Sequence, residues 1–112
     1  MTFRNQRLDD LLIIMPEGRI LKEQDTAELR QWLREQLNGT TLKVIFDLKG
    51  VDFVNSACLN LLVFSRNLIQ QNNGQLILCN VPVQLRQLLE ITKLSDCFAT
   101  ADRTAEAMAM LK

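Results

Sequence analysis

Few residues in this chain can do covalent chemistry, and they stand close together. The stretch GVDFVNSACLNLLVF, residues 50–64, is apolar almost throughout, yet it places Asn55 and Ser56 where a strand should hand over to a helix. Asn and Ser are strong N-caps, because a side-chain oxygen accepts a hydrogen bond from an otherwise unpaired backbone N–H. That role alone accounts for the pair. The same geometry also suits a phosphoryl acceptor. A Ser opening a helix after a parallel strand lies at the C-terminal edge of a sheet, where ligands and partners bind. A phosphate there would meet free N–H groups and the positive end of the helix dipole. It would add about −1.5 to −2 charges at pH 7 and change the surface of an unchanged fold.

Other chemistries lack their residues. The chain has no His and no Tyr, which removes the commonest general base, the commonest metal ligand and any Ser-His or Cys-His pair. Three Cys (Cys58, Cys79, Cys97) in scattered apolar segments neither form a C-x-x-C nor supply a closed zinc site. They read as buried, reduced thiols, and Cys58 as an inert one despite its place near a helix N-terminus. No phosphate-binding glycine loop is present. Asp9, Asp10, Glu17 and Glu23 form a loose acidic group that reads as a solvated face. Neither catalysis nor a metal or cofactor is expected.

The elements that must position Asn55 and Ser56 follow from periodicity. TFRNQRL is a first strand and LLIIM a second, with Pro16-Glu17-Gly18 read as a turn and RIL as a continuation of the sheet. DTAELRQWLREQLNG is a helix, capped by Asp25 or Thr26 and stopped at Asn38-Gly39. LKVIFDL is a β-rich strand that VDFV extends after Lys49-Gly50. A helix over 56–71 ends at Asn72-Asn73-Gly74, with Gly74 expected in the left-handed conformation. QLILC, a helix after Pro82, a short strand CFAT and a C-terminal helix after Asp102 complete the order β-β-α-β-α-β-α-β-α. Such alternation implies parallel strands joined by helical crossovers.

The 112 residues suit a single domain over 1–112, 47% apolar and 23% charged. Thirteen basic residues balance thirteen acidic ones with signs alternating along the chain. Nucleic-acid binding needs a clustered basic surface, so that class is set aside, as is a polybasic membrane anchor. The apolar run Leu11–Met15 is far short of a membrane span, and the polar opening MTFRNQRLDD is unlike a signal peptide. A cytoplasmic protein with no direct membrane insertion is expected.

The junction VDFVNSACLNLL resembles the signature of the STAS domain, best known in bacterial anti-sigma factor antagonists: an apolar strand, then Asp-Ser-Ser/Thr/Ala-Gly-Leu opening a helix. EGRI with DTAELRQWL, LKVIFDLKGVDFV and NNGQLILCNVPVQLRQLLEITKLSDCF are similar to further pieces of that family, so the resemblance covers nearly the whole chain. It implies a mixed sheet of four to five strands with helices mainly on one face. It implies a partner-switching signalling protein that is not an enzyme and acts in transcription regulation. Its partner would be a protein kinase or anti-sigma factor that phosphorylates Ser56, and a PP2C-like phosphatase would reverse the modification. Asn55 would cap the helix and orient Ser56. Helical spacing puts Leu59 and Val63 on a stripe with Arg66 and Gln70; they either cover the edge of the core or form a small apolar docking patch beside Ser56, such that Leu59→Asp abolishes binding while the domain still folds. Three positions depart from the family pattern: Asn55 stands for Asp, Ala57 for a second hydroxyl residue and Cys58 for Gly. Two alternatives stand beside this reading. One is a non-phosphorylated STAS subunit of a membrane lipid-transport ATPase complex; the other is a small-molecule or nucleotide sensor.

Overall fold

The computed structural model describes residues 2–19, 23–38, 42–53 and 55–111. The chain opens on a hairpin of β1 (Thr2–Leu8) and β2 (Leu11–Arg19). Its register pairs Leu8 with Leu11, so Asp9-Asp10 is the two-residue turn, and Asp9 takes the positive φ (54°) that such turns demand. Pro16-Glu17-Gly18 is therefore not a turn but part of β2. Proline is tolerated there because the neighbouring ladders leave a gap. Strand β3 (Lys43–Asp47) pairs in parallel with β2 as far as Ile14. Strand β4 (Val51–Phe53) takes up the pairing again only at Gly18. Neither parallel ladder asks Pro16 for its missing N–H. Gly18, at φ 87°, donates its N–H to Gly50 O (2.9 Å) and so stitches the end of β2 to the turn before β4.

Strands β5 (Gln75–Cys79) and β6 (Ala99–Ala101) extend the sheet in parallel on the other side, giving the order β1-β2-β3-β5-β6. Among the described residues the sheet is mixed, and antiparallel only at β1–β2. Helices α1 (Glu23–Leu37), α2 (Ser56–Gln71) and α3 (Val83–Ile91) share one core with Leu12, Ile14, Val44, Phe46 and Leu78. Their alternates Ile13, Ile45, Ile77 and Cys79 face the other way, against Ala107 of α4 (Thr104–Met110). The period of two in these strands thus sorts the helices: three on one face and one short helix on the other.

The bounds of α2 are those the periodicity predicts. Helix α1 starts at Glu23, so Thr26 is a buried first-turn residue rather than the cap. The position before α1, Ile20 and Leu21 of the expected sheet extension, and the Gly39 stop lie outside the described residues. The last strand begins at Ala99, after a 3₁₀ turn over Ser95–Cys97, so it covers only half of CFAT. The left-handed residue after α2 is Asn73 (φ 62°), not Gly74. Gly74 is required for another reason: a Cβ there would lie 2.3 Å from Leu42 O, where the chain re-enters the sheet.

Candidate functional site

Strand β4 delivers the chain to Asn55 in an extended conformation (φ −147°, ψ −168°), and the helix begins at the next residue. Asn55 Oδ1 accepts from the backbone N–H of Ala57 at 3.0 Å and of Cys58 at 3.4 Å. Its carbonyl accepts from Leu59 N at 3.2 Å, the first intrahelical bond. Asn55 is therefore the cap, as the sequence predicts, and Ser56 is released from that duty. Ser56 occupies the first helical position with its side chain exposed, while Ala57 and Cys58 behind it are buried.

This division of labour corrects one expectation. The Ala57 and Cys58 N–H groups are already held by Asn55, so a phosphate on Ser56 would not find them free. What remains is the positive end of a sixteen-residue helix with no acidic residue in its first turn.

At helical spacing Ser56, Asn60, Val63 and Asn67 form one outward row. Ser56, Asn60 and Asn67 are exposed and Val63 is half-buried. No residue of that row carries a charge. Beside it, Phe64 lies under the Arg34 guanidinium of α1, 4.9 Å from the ring centroid. Arg66 turns the other way and donates to Cys97 O at 2.7 Å.

Leu59 is not where a docking patch needs it. It is only 9% exposed and belongs to the main core with Leu85 and Leu89 of α3 and with Phe98. The flank that carries Leu59 is therefore part of the core. The reading of Leu59→Asp as a fold-neutral change fails on that burial. Val63 keeps a partial surface. The core face of α2 is otherwise as expected: Cys58, Leu61, Leu62, Ser65 and Ile69 are buried, with the Ser65 hydroxyl satisfied by Leu61 O at 2.7 Å.

The thiols divide differently from the expectation. Burial pushes Cys58 up from 9.0 to about 11, which makes it inert despite its seat at the helix mouth. Burial also raises Cys79, although a hydrogen bond with Thr104 opposes the shift. Cys97 is exposed, because it sits in the 3₁₀ turn before β6 rather than in a strand.

The acidic group predicted near the hairpin is dispersed. Asp9 and Asp10 occupy the turn, with Asp10 3.5 Å from Lys43, and Glu17 pairs with Arg4 at the far end of the strands. Asp47, which sequence reasoning passed over, organises the C-terminal edge of the sheet. Its carboxylate accepts from Lys49 N (3.1 Å), Asn80 Nδ2 (2.9 Å) and Thr104 Oγ1 (3.4 Å), tying the turn before β4 to β5 and α4. Only the short spacing Asp47-x-Lys49-Gly50 hinted at this turn. Among the described residues no group of three His, Cys, Asp or Glu is placed to hold a metal, and no helix is long and apolar enough to cross a membrane.

Comparison with known proteins places this architecture. The STAS domain family matches residues 3–107. A candidate anti-sigma factor antagonist of Bordetella bronchiseptica, BtrV, is 25% identical over the whole of this chain and 96% of its own length. The crystal structure of TM1081 of Thermotoga maritima, described in the same terms, superimposes with a TM-score of 0.83 at 22% identity, covering 97% of this chain and 93% of that one. The Bacillus cell-fate determinant SpoIIAA in its phosphorylated form gives a TM-score of 0.77 at 17% identity, over 96% and 97% of the two chains. The family match spans nearly the whole chain and the fold is shared with these structures, and the chain belongs to the STAS domain family.

Proposed function

We propose that this chain is a partner-switching signalling protein of the anti-sigma factor antagonist type, binding an anti-sigma-type kinase and regulated by reversible phosphorylation of Ser56. The observation that carries the reading is the separation of roles at the junction. Asn55 holds the helix terminus, so the Ser56 hydroxyl is exposed and can be modified without removing the cap.

The charge-free row Ser56, Asn60, Val63 and Asn67 gives the modification its leverage. A dianionic phosphate is the largest electrostatic change that such a row can undergo. An apolar or amide-rich partner surface that fits it must desolvate that phosphate or leave. Asn55, Ser56 and Val63 supply the partner contact in this reading, and Leu59 belongs to the core behind them. A PP2C-like phosphatase restores the binding form. That the related protein SpoIIAA is known in a phosphorylated form with this same fold supports a change of surface rather than of structure. The domain itself is the kinase's substrate and carries out no catalysis.

The test uses the full chain, wild type and Ser56→Glu, each immobilised and exposed to extract of its own host. The wild type retains a protein of the ATP-binding kinase class and the variant does not, at equal folded fraction. Equal retention by both would remove Ser56 from the partner contact.

A further inference from the structure

The two faces of the sheet are closed unequally. On one, α1, α2 and α3 set Leu33, Leu61, Leu62, Leu85 and their neighbours into the main core. On the other, Ile13, Ile45 and Ile77 pair with one another in register, a row of isoleucines straight across β2, β3 and β5. All three are buried, and the helix on that face is α4. Among the described residues α4 brings one fully buried side chain to the face, Ala107.

Little else holds α4 in place. It has seven residues, and a helix that short does not persist in water without packing. Its N-cap residue, Arg103, makes no side-chain capping bond and instead approaches Glu106 at 3.6 Å on the exposed side. Ala105, Met108, Ala109 and Met110 are exposed as well. Leu111, the next residue, lines two half-open depressions, one of about 460 Å³ toward β5 and β6 and one of about 280 Å³ toward the hairpin turn. The remaining anchor is Thr104, whose hydroxyl donates to Asp47 Oδ2 at 3.4 Å and lies 3.5 Å from Cys79 Sγ. The bond to Asp47 is long for two oxygens. Just before the helix, Asn80 N donates to Asp102 O at 3.2 Å and fixes the point about which α4 would swing.

An element that buries so little opens at a lower free energy than the domain as a whole. We infer that α4 is a detachable cover: it lifts from the sheet in an opening that the three-helix face survives, and it uncovers the row of Ile13, Ile45 and Ile77. Thr104 is its clasp, since the contacts with Asp47 and Cys79 must break before the helix can leave. The closed form hides an apolar strip that only the opened form presents. That strip lies on the face opposite α2, so the device stands whether or not Ser56 is phosphorylated.

Amide hydrogen exchange of the full chain, followed residue by residue at several urea concentrations below the unfolding transition, tests this. The amides of Ala107 to Met110 are expected to exchange at least about 100-fold faster than the slowest amides of α2. Their rates are expected to rise with urea, because apolar surface is uncovered, but with under about half the slope of α2. In Thr104→Val, which keeps the shape of the side chain and loses the clasp, they exchange about fivefold faster than in the wild type. Exchange of α4 at the rate and urea slope of α2 overturns the proposal, because the helix then leaves only when the domain unfolds. So does fast exchange that is independent of urea or unchanged in Thr104→Val, which is fraying in place with the clasp closed and the strip still covered.

Discussion

Replacing Asn55 separates the two duties that the junction divides between Asn55 and Ser56. In Asn55→Ala the N–H groups of Ala57 and Cys58 lose their acceptor at 3.0 and 3.4 Å. Both residues are buried, so water replaces that acceptor poorly. The shorter bond is of ordinary length and the longer one weak, so the pair amounts to somewhat more than one good cap. Removing such a cap and leaving a desolvated donor costs about 1.5 kcal/mol. For a chain of this size that lowers the urea midpoint by about 1 M, with an unchanged slope. Asn55→Asp behaves oppositely. The carboxylate keeps both bonds and adds a negative charge at the positive end of a helix with no acid in its first turn, a gain of about 0.5 kcal/mol that added salt reduces. Equilibrium urea unfolding of the wild type and both variants, at low and high salt, measures the set. An Asn55→Ala midpoint equal to that of the wild type would refute the reasoning, since Ser56 or the backbone would then be the true cap.

Four further predictions follow from the same packing. Leu59→Asp unfolds the protein or lowers its stability by more than about 3 kcal/mol, because it buries a carboxylate in the main apolar core; circular dichroism on the purified variant decides it. Native protein at pH 8 reacts with one equivalent of a thiol reagent, at Cys97, and with three only after unfolding. Between about pH 9 and 11 the unfolded chain releases the Cys58 proton while the folded chain retains it. Stability therefore falls across that window, and a Cys58→Ala variant shows a shallower fall in chemical-denaturation curves. Gly74→Ala loses about 2 kcal/mol or more because its Cβ meets Leu42 O, whereas Asn73→Gly leaves the thermal midpoint nearly unchanged.

What the residues announce in advance is local. Asn55 followed by an apolar helical repeat fixes the start of α2, and Asn72-Asn73-Gly74 fixes its end, because capping and turn chemistry act over three or four residues. Pro16-Glu17-Gly18 misleads for the converse reason. Its turn chemistry is genuine, but the gap between the β3 and β4 ladders on β2 is a long-range fact that absorbs a proline within a strand. Leu59 misleads similarly. Helical phase places it at the margin of the core, and only the packing of elements distant in sequence decides that the margin is covered. The Asp47 network joins residues up to 57 positions apart, and no local pattern encodes it. Ser56 was legible as a helix-opening residue. Its exposure follows from Asn55 taking both N–H groups, which needs coordinates.

The central claim is that Ser56 is an acceptor for a phosphoryl group. Intact mass of the protein isolated from its own host, with the modified residue mapped and Ser56→Ala as control, tests it most directly. The account predicts a population heavier by one phosphate, mapped to Ser56 and absent from the variant. A single unmodified mass under every growth condition would contradict it and leave Asn55-Ser56 as the beginning of a helix and nothing more.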